Sequence, residues 1–311
     1  MTSQQQVAPP MAHKTFLGSI QKTLALGWKA YRGDGTASLC LFILFTLIIC
    51  AIAAPLIAPQ NPFNLAEIDL ADARLAPLSA SLVDGPFHLL GTDAQGRDLF
   101  SVILYGLRTS LMVAIASSVG ALALGCTAGL TAAYFGGWIE AVIMRIVDIF
   151  LSLPAIFIAL LSISLLGRGA ENTILAILIV QWTHYARASR AAAAGELTKE
   201  YILAAQLMKL PRTRILVGHV LPNCLAPIFV ILAVQLGYVI AIEASLSYLG
   251  LGLPITQPSL GSLVADGQAY LLSGAYWISL IPGFVLLILV FCANLVGDRI
   301  RLLMNPSLRR A

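Results

Sequence analysis

Long apolar runs without a single charge, separated by short polar stretches, make up most of this chain. A helix needs about 20 apolar residues to cross a hydrocarbon core. Runs of that kind predict spans near 36–58, 110–135, 139–166, 172–190, 225–248 and 275–297. The first stops where Pro59, Gln60, Asn61 and Pro62 turn the chain polar. Gly136 and Gly137 predict a tight turn into the third, which carries Glu140, Arg145 and Asp148 in its first turns and Pro154 midway. Ahead of the spans, Leu17, Ile20, Leu24, Trp28 and Tyr31 recur at helical spacing, with Lys22 and Lys29 on the other face. That pattern over 14–32 predicts a helix lying in the membrane interface or packed on the protein's own flank.

Composition agrees with a membrane fold. The 311 residues are 59% hydrophobic and only 11% charged, with a mean hydropathy of +0.87. A soluble domain carries about a quarter charged residues, and disorder needs low hydrophobicity with high charge. Both classes are excluded. The five cysteines form no CxxC pair, and the four histidines are dispersed, which speaks against a disulfide framework, a zinc site or a haem pair.

The scarce charges set the orientation. Basic residues before span one, between spans four and five, and in the tail account for 14 of the 19 Lys and Arg. These regions fall on one side of a six-span topology, which the positive-inside rule makes cytoplasmic. Both termini are then inside. The expected organisation is a cytoplasmic segment 1–35, a first span 36–58, an outer loop 59–108, a core of five spans 109–299, and a basic tail 300–311.

Several stretches carry more specific information. Ser118, Ala121, Gly125, Ala128 and Ala132 form a small-residue stripe, with a GxxxG pair at Gly125 and Gly129. It predicts close helix packing, at a subunit or pore interface or within the chain. The segment 187–223 is long for a mere connection. Good helix formers from Glu200 to Met208 predict a short helix, with Thr198 as its N-cap. Lys209 and Pro211 break it, and a second helix is expected near Arg212. Such a pair, parallel to the membrane, suits docking of a cytosolic partner.

Before span two, LGTDAQGRD over 90–98 reads as a capped turn. Thr92 and Gln95 have capping-box spacing, Gly96 can take a positive φ, and Arg97 and Asp98 can satisfy each other. A calcium site at Asp93 and Asp98 is the rival, although the alternating oxygens of an EF-hand loop are missing. Arg145 and Asp148 are three apart and predict an ion pair on one helix face, with a substrate contact as the alternative. Glu243 would line an outer gate or cap the loop 249–274. Trp182 and His184 read as interface anchors or packing.

These segments resemble those of a known family. Glu200, Ala204, Ala205 and the LPN of 221–223 are similar to the EAA loop of ABC-importer permeases. LGTDAQGRD, continued by Ser101, Tyr105, Gly106, Arg108 and Ser110, resembles the C-type subunit of dipeptide, oligopeptide and nickel importers. GGWIEA from Gly136, EASLSYLGLG over 243–252 with Pro258-Ser259 and Gly261 after it, Asn294, Gly297 and Asp298, and Asn305-Pro306 extend the likeness over 36–310. The resemblance implies a type I ABC-importer permease fold with cytoplasmic coupling helices in the loop 191–223. It implies that Glu200, Tyr201, Ala204, Ala205, Lys209, Arg212 and Arg214 meet an ATPase subunit and that Pro222 marks the start of span five. There are departures: Lys209 stands where the family has glycine, a left-handed position costing a side chain about 1 kcal/mol, and Pro211 and Gly218 are also unusual.

The sequence holds no Walker A string and no catalytic constellation. The chain is therefore expected to be no enzyme, and to bind no cofactor, metal or nucleic acid. ATP and Mg would sit on partner subunits. The implied partners are a second permease, two ATPase subunits and an outside substrate-binding protein. The implied activity is import by alternating access, with peptide the leading substrate and nickel chelates or other small solutes the alternatives. A secondary transporter would need its own coupling-ion site. A membrane enzyme would need a polar or metal cluster at the interface.

Overall fold

The computed structural model describes residues 34–64, 68–82, 87–254 and 256–304. The expected helix over 14–32 and the Asn305-Pro306 match lie outside them. The described residues are mostly helical, and those from 58 to 98 form turns and loop with two isolated β-bridges, Ser79 to His88 and Thr92 to Asp98.

Helix α1, Gly35–Ile52, starts at Asp34, whose carboxylate accepts from the amides of Thr36 and Ala37. A single turn α2, Ala54–Ile57, follows. The long helix α3, Leu99–Phe135, runs 37 residues. Helices α4, Gly137–Ser152, and α5, Ala155–Leu166, come next. Helix α6 is Ala170–Leu197, followed by the short α7, Glu200–Leu207, and α8, Arg212–Ile215. A π turn, Leu216–Val220, leads into α9, Leu221–Tyr248. The short α10, Leu260–Gln268, and the long α11, Trp277–Met304, complete the bundle.

Among the described residues, four helical stretches are long and apolar enough to cross a membrane: Gly35–Ile52, Leu99–Phe135, Arg212–Tyr248 and Trp277–Met304. The expected third span is not one rod. α4 and α5 meet at 96° at Leu153 and Pro154, because proline has no N–H to give and its ring blocks the preceding turn. The pair counts as a fifth span if taken together. α6 has the length but a more polar sequence. It buries Gln181, Thr183, Tyr185 and Ser189 against its neighbours, so those groups are shielded by protein.

Small residues decide the main packing. The Ser118 stripe of α3 faces α6 within the same chain, with Ser118, Ala121, Gly125 and Ala132 buried. Of the two readings of the GxxxG pair, intrachain packing is the one observed. The main core gathers Leu99, Leu107, Ile163, Ile177, Leu246, Leu260 and Leu289 between α3, α5, α6, α9, α10 and α11. α1 lies on α11 through Cys40, Cys292 and Val296. A second core, Leu130, Ala193, Ile202, Ala205, Ile215, Val220, Cys224 and Ile228, sits at the basic end and seats α7 and α8 there.

Candidate functional site

At the basic end, α7 is fixed by its inner face and offers its outer one. Ile202 and Ala205 are buried in the second core, while Glu200, Tyr201, Leu203 and Ala204 are exposed. The expected pair of packing alanines is thus split. Leu207 is 84% exposed and Met208 69% exposed at the tip. Thr198 is not the cap of this helix. Its hydroxyl donates back to the Gly195 carbonyl at 2.9 Å, closing α6, and Lys199 takes the N-cap position. The reason is that α6 runs seven residues beyond 190, so Thr198 falls at a helix end.

Lys209 has φ +55. Its N–H donates to Gln206 O at 2.9 Å, and Leu210 N–H donates to Ala205 O at 3.2 Å. The left-handed turn that glycine would make is therefore made with lysine. Pro211 then caps α8. Arg212 stacks over the Phe135 ring at 5.7 Å, bracing α8 on the end of α3, and Arg214 is exposed.

A polar network, unforeseen as a unit, ties this segment to α6 and α9. The buried Glu196 accepts from Lys199 Nζ at 2.6 Å and from the Tyr201 hydroxyl. Asn223 Nδ2 donates to the Tyr201 hydroxyl at 3.0 Å and to His219 O at 2.7 Å. Burial, followed by the hydrogen bond to Glu196 and its charge, pushes the Tyr201 phenol well above its usual range. Pro222 sits in the first turn of α9, where its missing N–H is harmless. The sequence signal for the network was present in the polar residues around the EAA-like stretch, but their pairing crosses three elements.

At the opposite end, the 90–98 turn is organised differently from its expected capping box. Asp93 is its centre: Oδ1 accepts from the amides of Gln95 at 2.8 Å and Arg97 at 2.9 Å, and Oδ2 pairs with Arg97 Nε at 2.6 Å. Arg97 thus pairs with Asp93, not Asp98. Asp98 is the N-cap of α3, accepting from Ser101 N at 2.8 Å and Ser101 Oγ at 2.7 Å. Thr92 is buried, accepts from Leu75 N at 2.7 Å and donates to the Asp72 carbonyl. Gly96 has φ +81, as expected, and a Cβ there would lie 2.0 Å from Asp69 O. The calcium alternative is disfavoured, because both carboxylates already accept from protein donors.

His88 was not foreseen as part of this turn. It is buried, with Nδ1 3.1 Å from Asp98 Oδ1 and Nε2 3.7 Å from Asp72 Oδ2. Asp72 also accepts from Ser81 Oγ at 2.5 Å and Leu82 N at 2.7 Å. Burial raises the Asp72 pKa, but the Ser81 and Leu82 hydrogen bonds and His88 outweigh it and leave the carboxyl below its usual range.

One further expectation is corrected, and the two readings of Glu243 are narrowed. Asp148 pairs with Arg187 of α6 at 2.5 Å, and Arg145 stands exposed without an ion pair to the described residues. Arg190 reaches Glu140 in the same way. The bend at Pro154 lets α4 lie beside the end of α6, so the interhelix partner wins over the residue three positions away. Of the two readings of Glu243, the cap of the loop 249–274 is the nearer one, since Ser259 of that loop faces its carboxyl. Glu243 is fully buried, and Ser247 Oγ donates to its Oε1 at 2.8 Å.

Known proteins resemble this chain along most of its length. The family described as "Binding-protein-dependent transport system inner membrane component" matches residues 121–310, and "N-terminal TM domain of oligopeptide transport permease C" matches 23–77. The di/tripeptide transport system permease protein DppC of Pseudomonas aeruginosa is 34% identical over 284 residues, 91% of this chain and 92% of that one. The dipeptide transport system permease protein DppC of Alkalihalophilus pseudofirmus is 34% identical over 314 residues, covering 99% and 97%. A solved structure of the MetNI methionine ABC transporter in inward-facing conformations superposes with a TM-score of 0.52 at 19% identity, over 65% of this chain and 96% of that one, a likeness of fold. The chain belongs to the binding-protein-dependent inner membrane components, as a permease subunit of the dipeptide/oligopeptide ABC-importer family whose ATP hydrolysis takes place on separate subunits.

Proposed function

We propose that this permease carries peptides inward by alternating access and that 199–223 is its contact with an ATPase subunit. The observation that carries the reading is the form of α7. A helix of eight residues is seated on a buried core, with Leu207 and Met208 turned out at its tip. Exposed apolar side chains rimmed by charge are the mark of a docking site. Glu200, Tyr201, Ala204, Lys209, Arg212 and Arg214 surround them. The same end carries most of the basic residues, which makes it and both termini cytoplasmic. The bundle works with a second permease, two ATPase subunits and a substrate-binding protein outside.

A Glu200→Lys exchange places a charge of the wrong sign in the dock. Co-purification of the ATPase subunits should fall by about tenfold or more while insertion into the membrane is unchanged. Undiminished co-purification overturns the docking assignment. Peptide specificity is read separately, by import of a labelled dipeptide into liposomes holding the assembled complex. If excess unlabelled di- and tripeptides fail to compete, the peptide assignment falls.

A further inference from the structure

Three stretches noted separately in the sequence meet at one buried carboxyl. Glu243 of α9 is fully buried. Its Oε1 accepts from Ser247 one turn on, at 2.8 Å. The hydroxyls of Ser110 on α3 and Ser259 at the N-cap of α10 face the same carboxyl, and Ser110 Oγ also accepts from Leu260 N at 3.3 Å. Yet Oε2 has no close hydrogen-bond partner. A buried carboxyl oxygen left without a donor is costly, and native structures rarely keep one without a use.

The surroundings allow a use. α10 is clamped at its start by a reciprocal pair, Ser259 N to Ser262 Oγ at 3.0 Å and Ser262 N to Ser259 Oγ at 3.2 Å. Its first turn lies against the α9 backbone so closely that a Cβ on Gly261 would be 2.3 Å from Ala244 O. Beside this contact is an open apolar cavity of about 440 Å³, lined by Ala241, Ala244, Tyr248, Gly261, Val264 and Leu286. The tight α9–α10 contact thus borders open space on the side of α11. The other end of α9 begins at Leu221, next to the proposed ATPase contact.

We propose that Glu243 is the positioning residue that makes α10 follow α9. In the state described here the one close hydrogen bond to its carboxyl comes from Ser247 of α9 itself, and Ser110 of α3 and Ser259 of α10 face it from farther off. A displacement of α9 from its 221–223 end tightens the carboxyl's approach to Ser110 or Ser259 into a close hydrogen bond, and the start of α10 moves with it at the outer face. The carboxyl thereby favours one of two packings of the same three helices, the form a switching element takes. The inference rests on the proposed importer cycle.

The test uses the assembled importer in liposomes, measuring labelled peptide imported per ATP hydrolysed. Glu243→Gln keeps a group of the same length that can accept and donate, and its ratio should stay within about twofold of the wild type. Glu243→Ala should lower the ratio by about tenfold while ATP hydrolysis continues, the sign of lost coupling. Ser110→Ala, which keeps the carboxyl, should lower it by about two- to fivefold and decides the matter if Glu243→Ala does not assemble. An unchanged ratio in Glu243→Ala or Ser110→Ala overturns the proposal. So does a Glu243→Gln protein as defective as Glu243→Ala, or a parallel fall of import and hydrolysis, which a merely structural residue would give. A wild-type complex that hydrolyses ATP without importing peptide counts against the substrate reading alone. The coupling is then read from stimulation of ATP hydrolysis by the binding protein, which Glu243→Gln keeps and Glu243→Ala loses.

Discussion

The α3–α6 contact offers the sharpest quantitative prediction, through Gly129→Ala. A Cβ at Gly129 would sit 2.0 Å from Ser189 Oγ, 2.3 Å from Ala186 O and 2.8 Å from Arg190 N. The serine hydroxyl can rotate away, but the carbonyl and the amide are α6 backbone and cannot. Non-bonded atoms settle at about 3.5–4.0 Å, so the two helices must part by roughly 1 Å. Overpacking of a tight contact costs about 1–3 kcal/mol. The same movement strains the bond from Ser189 Oγ to Gly125 O, now 3.2 Å long and worth about 0.5–1.5 kcal/mol. The sum is about 2–4 kcal/mol, which at about 2.1 cal/mol/K per residue over 311 residues corresponds to a Tm lower by about 3–6 °C. The assay is heating of the assembled transporter in detergent, followed by the fraction that still elutes as a complex. Gly195→Ala on α6 is the control, since an added Cβ there meets nothing within 4 Å, and a helical Gly→Ala exchange without a clash stabilises by about 0.5–1 kcal/mol. A Gly129→Ala protein that melts within about 2 °C of wild type, or a Gly195→Ala protein that melts equally early, would rule out the clash as the cause.

The remaining predictions concern the two ends of the bundle. Lys209 pays for its φ of +55, so Lys209→Gly should slow exchange of the Leu210 amide by up to about fivefold, and Lys209→Val should speed it, because left-handed backbone costs a side chain about 1 kcal/mol and a β-branched one more. Faster exchange in Lys209→Gly would count against the turn. The Asp72 carboxyl sits below its ordinary value of 3.8. Its contribution is therefore present above that value and is lost as the pH falls through the depressed folded value, when the proton binds. Pepsin cleavage between Leu78 and Leu89 should rise steeply below about pH 4, and Asp72→Asn should be cleaved equally at both ends of that range.

How far the sequence was legible depended on whether a partner lay nearby in the chain. Apolar runs told where helices lie because lipid accepts no exposed backbone, and the break near Lys209 followed from Pro211, which cannot continue a helix. Pro154 announced a break but not its 96° angle, which is set by how α5 packs on α6. Local spacing misled wherever a partner from another helix was nearer. Arg145 was the obvious mate for Asp148, and Arg187, 39 positions away, took its place. Thr92 had the spacing of a cap, yet Asp93 offered the stronger acceptor, a carboxylate that Arg97 could also neutralise. Glu243 is the extreme case. As a lone acid in an apolar run it gave a gate and a loop cap equal standing, because the residues that define it are Ser110 and Ser259, 133 positions earlier and 16 later in the chain. Each of those serines lies in a stretch that resembles the same family, and no rule of spacing brings them together. Only the close approach of α10 to Ala244 does so. An acid so placed reports on the tertiary arrangement of three helices, and its loss should therefore be felt in the coupling between them before it is felt in the stability of any one.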